Sequence, residues 1–156
     1  MRYLVTGVKG QLGYDIVREL LKRNYTDIAA LDADEMDITN RDEVLSTIQS
    51  YNPDVIFHCA AWTAVDKAET MKDKVTKVNV EGTKNMTDAS ILVDAKLFYI
   101  STDYVFDGKK EGYYTEEDMA SPMSVYGLTK YLGEEEAKRN PKHFITRISW
   151  VFGING

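Results

Sequence analysis

Short apolar runs alternate with longer segments whose apolar residues recur every three or four positions, and the alternation continues along the whole chain. Tyr3-Leu4-Val5 is a β-favouring run that ends at Gly7, after which Leu12, Ile16, Val17, Leu20 and Leu21 recur at helical spacing up to Asn24. Asp27 to Leu31 reads as a second strand. Thr39 or Asn40 can then cap a helix that carries Val44, Leu45 and Ile48 on one face through Tyr51, with Pro53 as its stop. Val55 to Cys59 is a third strand of the kind covered by helices on both faces. Lys67 to Asp94 is helical with an expected break near Asn79, and Leu97 to Ile100 is a fourth strand before Ser101. Residues 107 to 122 lack periodicity and predict a surface loop over a site. Ser124 to Arg139 returns to helix, and Phe144 to Ile148 makes a fifth strand.

Strands that alternate with helices pair in parallel, because each crossover carries the chain back to the same edge. The pattern therefore predicts an α/β fold: a doubly wound parallel sheet in three layers, α/β/α. A length of 156 residues suits one domain with a single core. Composition near the globular average excludes disordered and fibrous classes. The net charge of -6, with Lys and Arg scattered, argues against nucleic acid as a partner.

Cys59 is the single cysteine, so no intramolecular disulfide can form, and its apolar setting predicts a buried, inert thiol. No run approaches the roughly 20 apolar residues of a membrane span, and the first strand is too short for a signal peptide. The expectation is a cytoplasmic protein with no membrane partner. No metal-ligand set is assigned.

Thr6-Gly-Val-Lys-Gly-Gln-Leu-Gly13 lies directly after the first strand and opens the first helix. Glycines at positions 7, 10 and 13 let the backbone turn sharply, approach a pyrophosphate and pack helix on strand, while the helix N-terminus offers N–H groups to phosphate. Asp32 follows the second strand about 20 residues on, where a carboxylate hydrogen-bonds a ribose and repels a 2′-phosphate. The cofactor expectation is NAD(P)H, leaning to NADH. Asp34 and Glu35 read as a solvated acidic loop. Ala60 and Ala61 are small enough to let a cofactor pass over the end of the third strand.

Tyr126 and Lys130 are four residues apart, which puts both side chains on one helix face. A phenol whose reference pKa is about 10 donates a proton more readily when an ammonium stabilises the phenolate left behind. A hydroxyl at the end of the fourth strand can polarise a carbonyl. Thr102 is the candidate, with Ser101 in reserve.

These residues, in this chain order, resemble the extended short-chain dehydrogenase/reductases, and within them the dTDP-4-dehydrorhamnose reductases. The resemblance is carried by Lys9 to Gly13, Pro53 to Ile56, Thr63-Ala-Val-Asp-Lys-Ala-Glu69, Ser101-Thr-Asp-Tyr-Val-Phe-Asp-Gly108 and Arg147 to Trp150. It implies a Rossmann-type NAD(P)-binding domain over residues 1 to 150. It further implies reduction of the 4-keto group of a dTDP-linked 6-deoxyhexulose, with Tyr126 as proton donor, Lys130 as its support and Thr102 orienting the carbonyl. Gln11, Leu12, Asp37, Ile38 and Thr63 are implied at the cofactor, Asn79 is implied both to brace the central strands and to line the cofactor site, and Val105 and Trp150 are implied at the sugar. Family members run on for about another domain, so residues 151 to 156 are expected to begin a C-terminal substrate domain absent from this chain. Homodimerisation is left open. Two alternatives stand beside this reading: a non-catalytic subunit similar to the regulatory subunit of methionine adenosyltransferase, and an epimerase or dehydratase acting on another nucleotide sugar.

Overall fold

A computed structural model describes residues 1 to 155. Five strands, β1 (Tyr3–Thr6), β2 (Ile28–Leu31), β3 (Val55–His58), β4 (Lys96–Thr102) and β5 (His143–Ile148), form one sheet in the order β2-β1-β3-β4-β5. Every neighbouring pair is parallel. Six α-helices connect them: α1 (Gln11–Lys22), α2 (Arg41–Tyr51), α3 (Val65–Ala68), α4 (Lys72–Thr76), α5 (Thr83–Leu92) and α6 (Val125–Ala137).

Alternating side chains along β1 divide the core in two. Leu4 faces Ile56, Leu97, Tyr99 and the helix residues Val44, Ile48, Met86 and Ala137. Tyr3 and Val5 face the opposite way, onto Leu20, Ile16 and Val17 of α1. The strand period of two thus feeds both outer layers, which is the three-layer arrangement expected. Aromatic rings at successive strands, Phe57, Phe98 and Phe144, line up across the α1 face, and Phe144 at the β5 edge stays 48% exposed.

The expected elements form, with differences that have local causes. Asn40, not Thr39, caps α2 by accepting from Glu43 N. Asn52 closes that helix in the left-handed region at φ 52°, one residue before Pro53. β4 runs two residues past Ile100 because its ladder with β5 continues through Ser101↔Arg147 and Thr102↔Ile148.

The break expected near Asn79 is instead a wide π-helical turn, Lys77–Gly82, that joins α4 to α5 without interruption. The extra residue turns Asn79 inward, and Gly82 lets the turn pack against Ile38, whose Cδ1 lies only 2.7 Å from where a Cβ would sit. Residues 107 to 122 form an irregular surface loop, pinned by the Asp118 carboxylate on Lys110 and Thr115 and by Phe106 stacked on Tyr114. Among the described residues no helix is long and apolar enough to cross a membrane, and no cluster of His, Cys, Asp or Glu is arranged to hold a metal. Of the segment expected to begin a further domain, residues 151 to 155 are described and Gly156 lies outside them. Asn155 donates to the Lys9 carbonyl at 2.9 Å.

Candidate active site

The strand order reverses at β1, since the chain passes outward to β2 and then back across to β3. In a doubly wound sheet that reversal leaves a crevice at the carboxyl ends of the strands. A cleft of about 780 Å³ lies there. Gly7, Gly10, Gln11, Leu12, Asp32, Asp37, Ile38, Ala60, Ala61, Thr63, Thr102, Tyr126, Lys130 and Trp150 all line it. Residues separated by more than a hundred positions are thereby brought to one surface.

The glycine turn has the shape a dinucleotide needs. Gly7 has φ 70°, and a Cβ there would lie 2.8 Å from Ala60 N. A side chain at Gly13 would run into the Gly7 carbonyl, so α1 can pack this closely on β1 only without one. The first turn of α1 has no side-chain cap and no acidic residue, whereas α2 has both, in Asn40 and in Asp42 and Glu43. Its N–H groups and positive dipole end therefore remain available to an anion.

At the far end of the turn, Asp32 accepts from Lys9 N at 2.9 Å and from Ala33 N at 2.8 Å, which ties β2 to the glycine turn. Asp34 and Glu35 are solvent-exposed, as expected, and both are hydrogen-bonded. Asp34 pairs with the Lys9 ammonium, which raises the lysine's pKa and lowers the carboxyl's, and Glu35 accepts from Asp32 N.

At the other end, α6 starts at Ser124, whose hydroxyl accepts from Gly127 N, while the Glu69 carboxylate accepts from Val125 N. Gly127 lets the helix lie against the Tyr104 carbonyl. Tyr126 and Lys130 then line the cleft together with Thr102. Burial raises the Tyr126 phenol, contact with the Thr102 hydroxyl offsets part of the rise, and the Asp103 charge adds to it. The phenol is thus held protonated near neutral pH, as a proton donor must be.

Lys130 is 3% exposed and lies 4.2 Å over the Tyr99 ring. Burial pulls its pKa down to about 7, against the attraction of Cys59 and Glu134. The Thr102 hydroxyl donates to Asp103 at 3.0 Å and accepts from Tyr104 N. Its single hydrogen points at a carboxylate, so polarising a carbonyl requires that O–H to rotate. Ser101 lines the cleft but spends its hydroxyl on Glu134 at 2.6 Å.

Two expected residues lie elsewhere. Val105 is fully buried in the short turn after β4 and does not line the cleft. Asn79 is also buried away from it, and its amide accepts from Trp62 N and donates to Trp62 O and to Thr129 Oγ1. Asn79 therefore braces the chain after β3 against α6. The loop of residues 107 to 122 contributes nothing to the lining and does not roof the cleft. Trp150 does line it, at φ 51° and 93% exposed. Cys59 is partly buried rather than enclosed, and its thiol, pushed up to about 12 by burial, is inert.

His58 and Glu134 receive no role from the sequence, while Lys9, Asp103 and Arg147 lie in stretches that carry the family resemblance without a role of their own. His58 was detectable as the one polar side chain inside an otherwise apolar strand. Lys9 was detectable as a cation within the glycine turn. Glu134 carries no local signal.

Comparison with known proteins places these features in context. The family described as RmlD substrate binding domain matches residues 1 to 156. A dTDP-4-dehydrorhamnose reductase of Aggregatibacter actinomycetemcomitans is 43% identical over 156 residues, covering 99% of this chain and 53% of that protein. The crystal structure of a dTDP-4-dehydrorhamnose reductase from Clostridium acetobutylicum superposes with a TM-score of 0.96 at 41% identity, covering 100% of this chain and 56% of the other. That of the Bacillus anthracis reductase in complex with NADP gives 0.95 at 44% identity, covering 99% and 55%. The chain spans about half the length of the curated relatives it matches.

Proposed function

The chain belongs to the RmlD substrate-binding-domain family, and from that premise we propose that it is the cofactor-binding half of an NAD(P)H-dependent dTDP-4-dehydrorhamnose reductase. The observation that carries the reading is the single cleft that joins the uncapped start of α1 to Tyr126, Lys130 and Thr102. Residues 1 to 150 form the dinucleotide domain in this reading. The length that relatives carry beyond the match supplies most of the sugar site, with Trp150 at its edge.

The bound nicotinamide supplies the hydride for the C4 ketone. This chain's residues do the rest. The turn from Gly7 to Gly13 and the first N–H groups of α1, at Gln11 and Leu12, hold the pyrophosphate. Ala60, Ala61 and Thr63 form the floor, and Asp37 and Ile38 flank the adenine. Asp32 receives a ribose hydroxyl. Tyr126 hands its proton to the ketone oxygen, Lys130 steadies the phenolate, and Thr102 orients the carbonyl once its hydroxyl turns from Asp103. Three carboxylates, Asp32, Asp34 and Glu35, stand against one ammonium at the adenosine end, which favours a free 2′-hydroxyl and hence NADH.

Titration of the chain with NADH should enhance the cofactor's fluorescence, and Gly10→Glu should abolish the change while leaving the fold intact. No binding at millimolar NADH would sink the proposal. Ketone-dependent NADH oxidation is expected of a chain that extends over the full length of the relatives.

A further inference from the structure

His58 is the largest buried polar group that the proposed chemistry leaves unused. It is 1% exposed in the middle of the sheet, and both ring nitrogens are engaged: Nδ1 with Thr6 Oγ1 at 3.0 Å and Nε2 with Thr83 Oγ1 at 3.2 Å. The neighbouring bonds fix the sense of both. Thr83 spends its one hydroxyl hydrogen on the Asn79 carbonyl at 2.7 Å, so toward the ring it can only accept. Nε2 must then carry the proton. A neutral imidazole has one N–H, so Nδ1 accepts and the Thr6 hydroxyl donates. That agrees with the other side of Thr6, where Oγ1 accepts from Ala60 N at 3.1 Å.

The same network continues beyond Asn79. Its side chain holds Trp62 and donates to Thr129 Oγ1, and Thr129 donates to the carbonyl of Tyr126 at 2.9 Å. Polar groups with a fixed donor-to-acceptor sense thus connect the cleft floor at Ala60 to the helix turn that presents Tyr126 and Lys130. The Thr83 hydroxyl reaches the carbonyl four residues back, as in any helix, and the Asn79 amide reaches Thr129, so the route passes through the turn Lys77–Gly82.

We propose that His58 is a positioning residue, an Nε2-protonated imidazole that sets the placement of the Ala60 floor relative to the Tyr126 helix. The proposal rests on the cofactor reading above. The titratable groups that bear on the ring are Tyr99 from β4, with ring centres 5.9 Å apart, and Lys130 from α6; among the described residues no carboxylate contributes to its shift. Burial and the Lys130 charge together depress its pKa to about 3. A ring charged at neutral pH would turn Nδ1 into a donor aimed at Thr6 and would place a second cation beside Lys130.

The test is ¹⁵N NMR of the His58 ring in the intact chain, combined with NADH titrations. The neutral, Nε2-protonated pattern should persist from about pH 5 to about pH 8, across the range where an ordinary histidine titrates. Thr83→Val strands a buried Nε2–H, so it should weaken NADH binding about tenfold and disturb the tautomer, whereas Thr83→Ser should restore both. Ser90→Ala removes a comparable buried hydroxyl, one that holds Asn140, and should leave NADH affinity unchanged.

An Nδ1-protonated or charged ring at neutral pH would overturn the proposal. So would a folded Thr83→Val chain with unaltered affinity, or a Ser90→Ala chain that weakens equally. If Thr83→Val does not fold, the tautomer of the unaltered chain and the Thr83→Ser titration decide. Failure of the unaltered chain to bind NADH overturns the cofactor reading instead, and the ring's protonation still decides the hydrogen-bond sense.

Discussion

The fully buried Glu134 carboxylate receives the Arg147 guanidinium at two points, Nε on Oε1 at 2.9 Å and Nη2 on Oε2 at 2.7 Å. Ser101 adds a third hydrogen bond, and the guanidinium lies 4.8 Å over the Phe106 ring. One carboxylate therefore fastens α6, β5 and the end of β4 together. Glu134→Leu leaves Arg147 half-enclosed without a partner and should cost about 3 kcal/mol in urea denaturation, at the lower end for a broken buried pair because the arginine can partly reach water. Adding Arg147→Met should recover more than half of the loss. A double variant no better than the single one would show that the pair does not act as a unit.

Gly13 and Gly10 differ in what a side chain would meet. A Cβ at Gly13 overlaps the Gly7 carbonyl, whereas one at Gly10 approaches the same oxygen only to 3.3 Å from an ordinary extended conformation. Gly13→Ala should therefore lower stability by about 1–3 kcal/mol, and Gly10→Ala by clearly less. Thermal unfolding of the two variants compares them directly; equal losses would contradict this packing.

Two buried bases give the stability a pH dependence of defined sign. The pKa of His58 is depressed to about 3 in the fold, so it contributes stability that is present above its unfolded value of about 6.5 and is lost as pH falls toward 3. For Lys130, about 7 in the fold against about 10.4 unfolded, stability climbs as pH rises between those values. Urea unfolding free energies measured along pH should show both rises. His58→Asn should flatten the acidic one and Lys130→Met the alkaline one. Unchanged slopes in the variants would place the titrating groups elsewhere.

Lys9 is paired with Asp34 on the surface beside Asp32, so its influence on cofactor choice is modest. Lys9→Ala should shift the ratio of NADPH to NADH dissociation constants roughly threefold toward NADH, and Asp32→Asn should shift it the other way. Fluorescence titrations with both cofactors measure the ratio. The same direction of change in both variants would contradict the charge argument.

The alternation of short apolar runs with helical spacing was legible because each element repeats its own period. Leu4 and Val5 already announce a strand buried on both faces, and Leu12 to Leu21 a helix lying on it. The chemistry that follows a local pattern was legible too, in the glycine turn and in Tyr126 with Lys130. The bracing role of Asn79 is implied by its motif, but not the partners, because nothing near it in the sequence indicates that its amide would meet Trp62 and Thr129. Val105 carries a motif resemblance, yet the turn after β4 folds its side chain inward.

Short-range spacing is enough to assign the strands and helices and to pick out the residue types that could serve a cofactor and a proton transfer. The partners of the buried polar groups come from the packing of distant elements. The hydrogen bonds of His58, the ion pair of Glu134 and the commitment of the Thr102 hydroxyl to Asp103 depend on how β3, β4, α6 and the wide turn at Asn79 meet, and burial gives those meetings their energetic weight. A buried polar atom must find its partner wherever the fold brings one, at any distance along the chain.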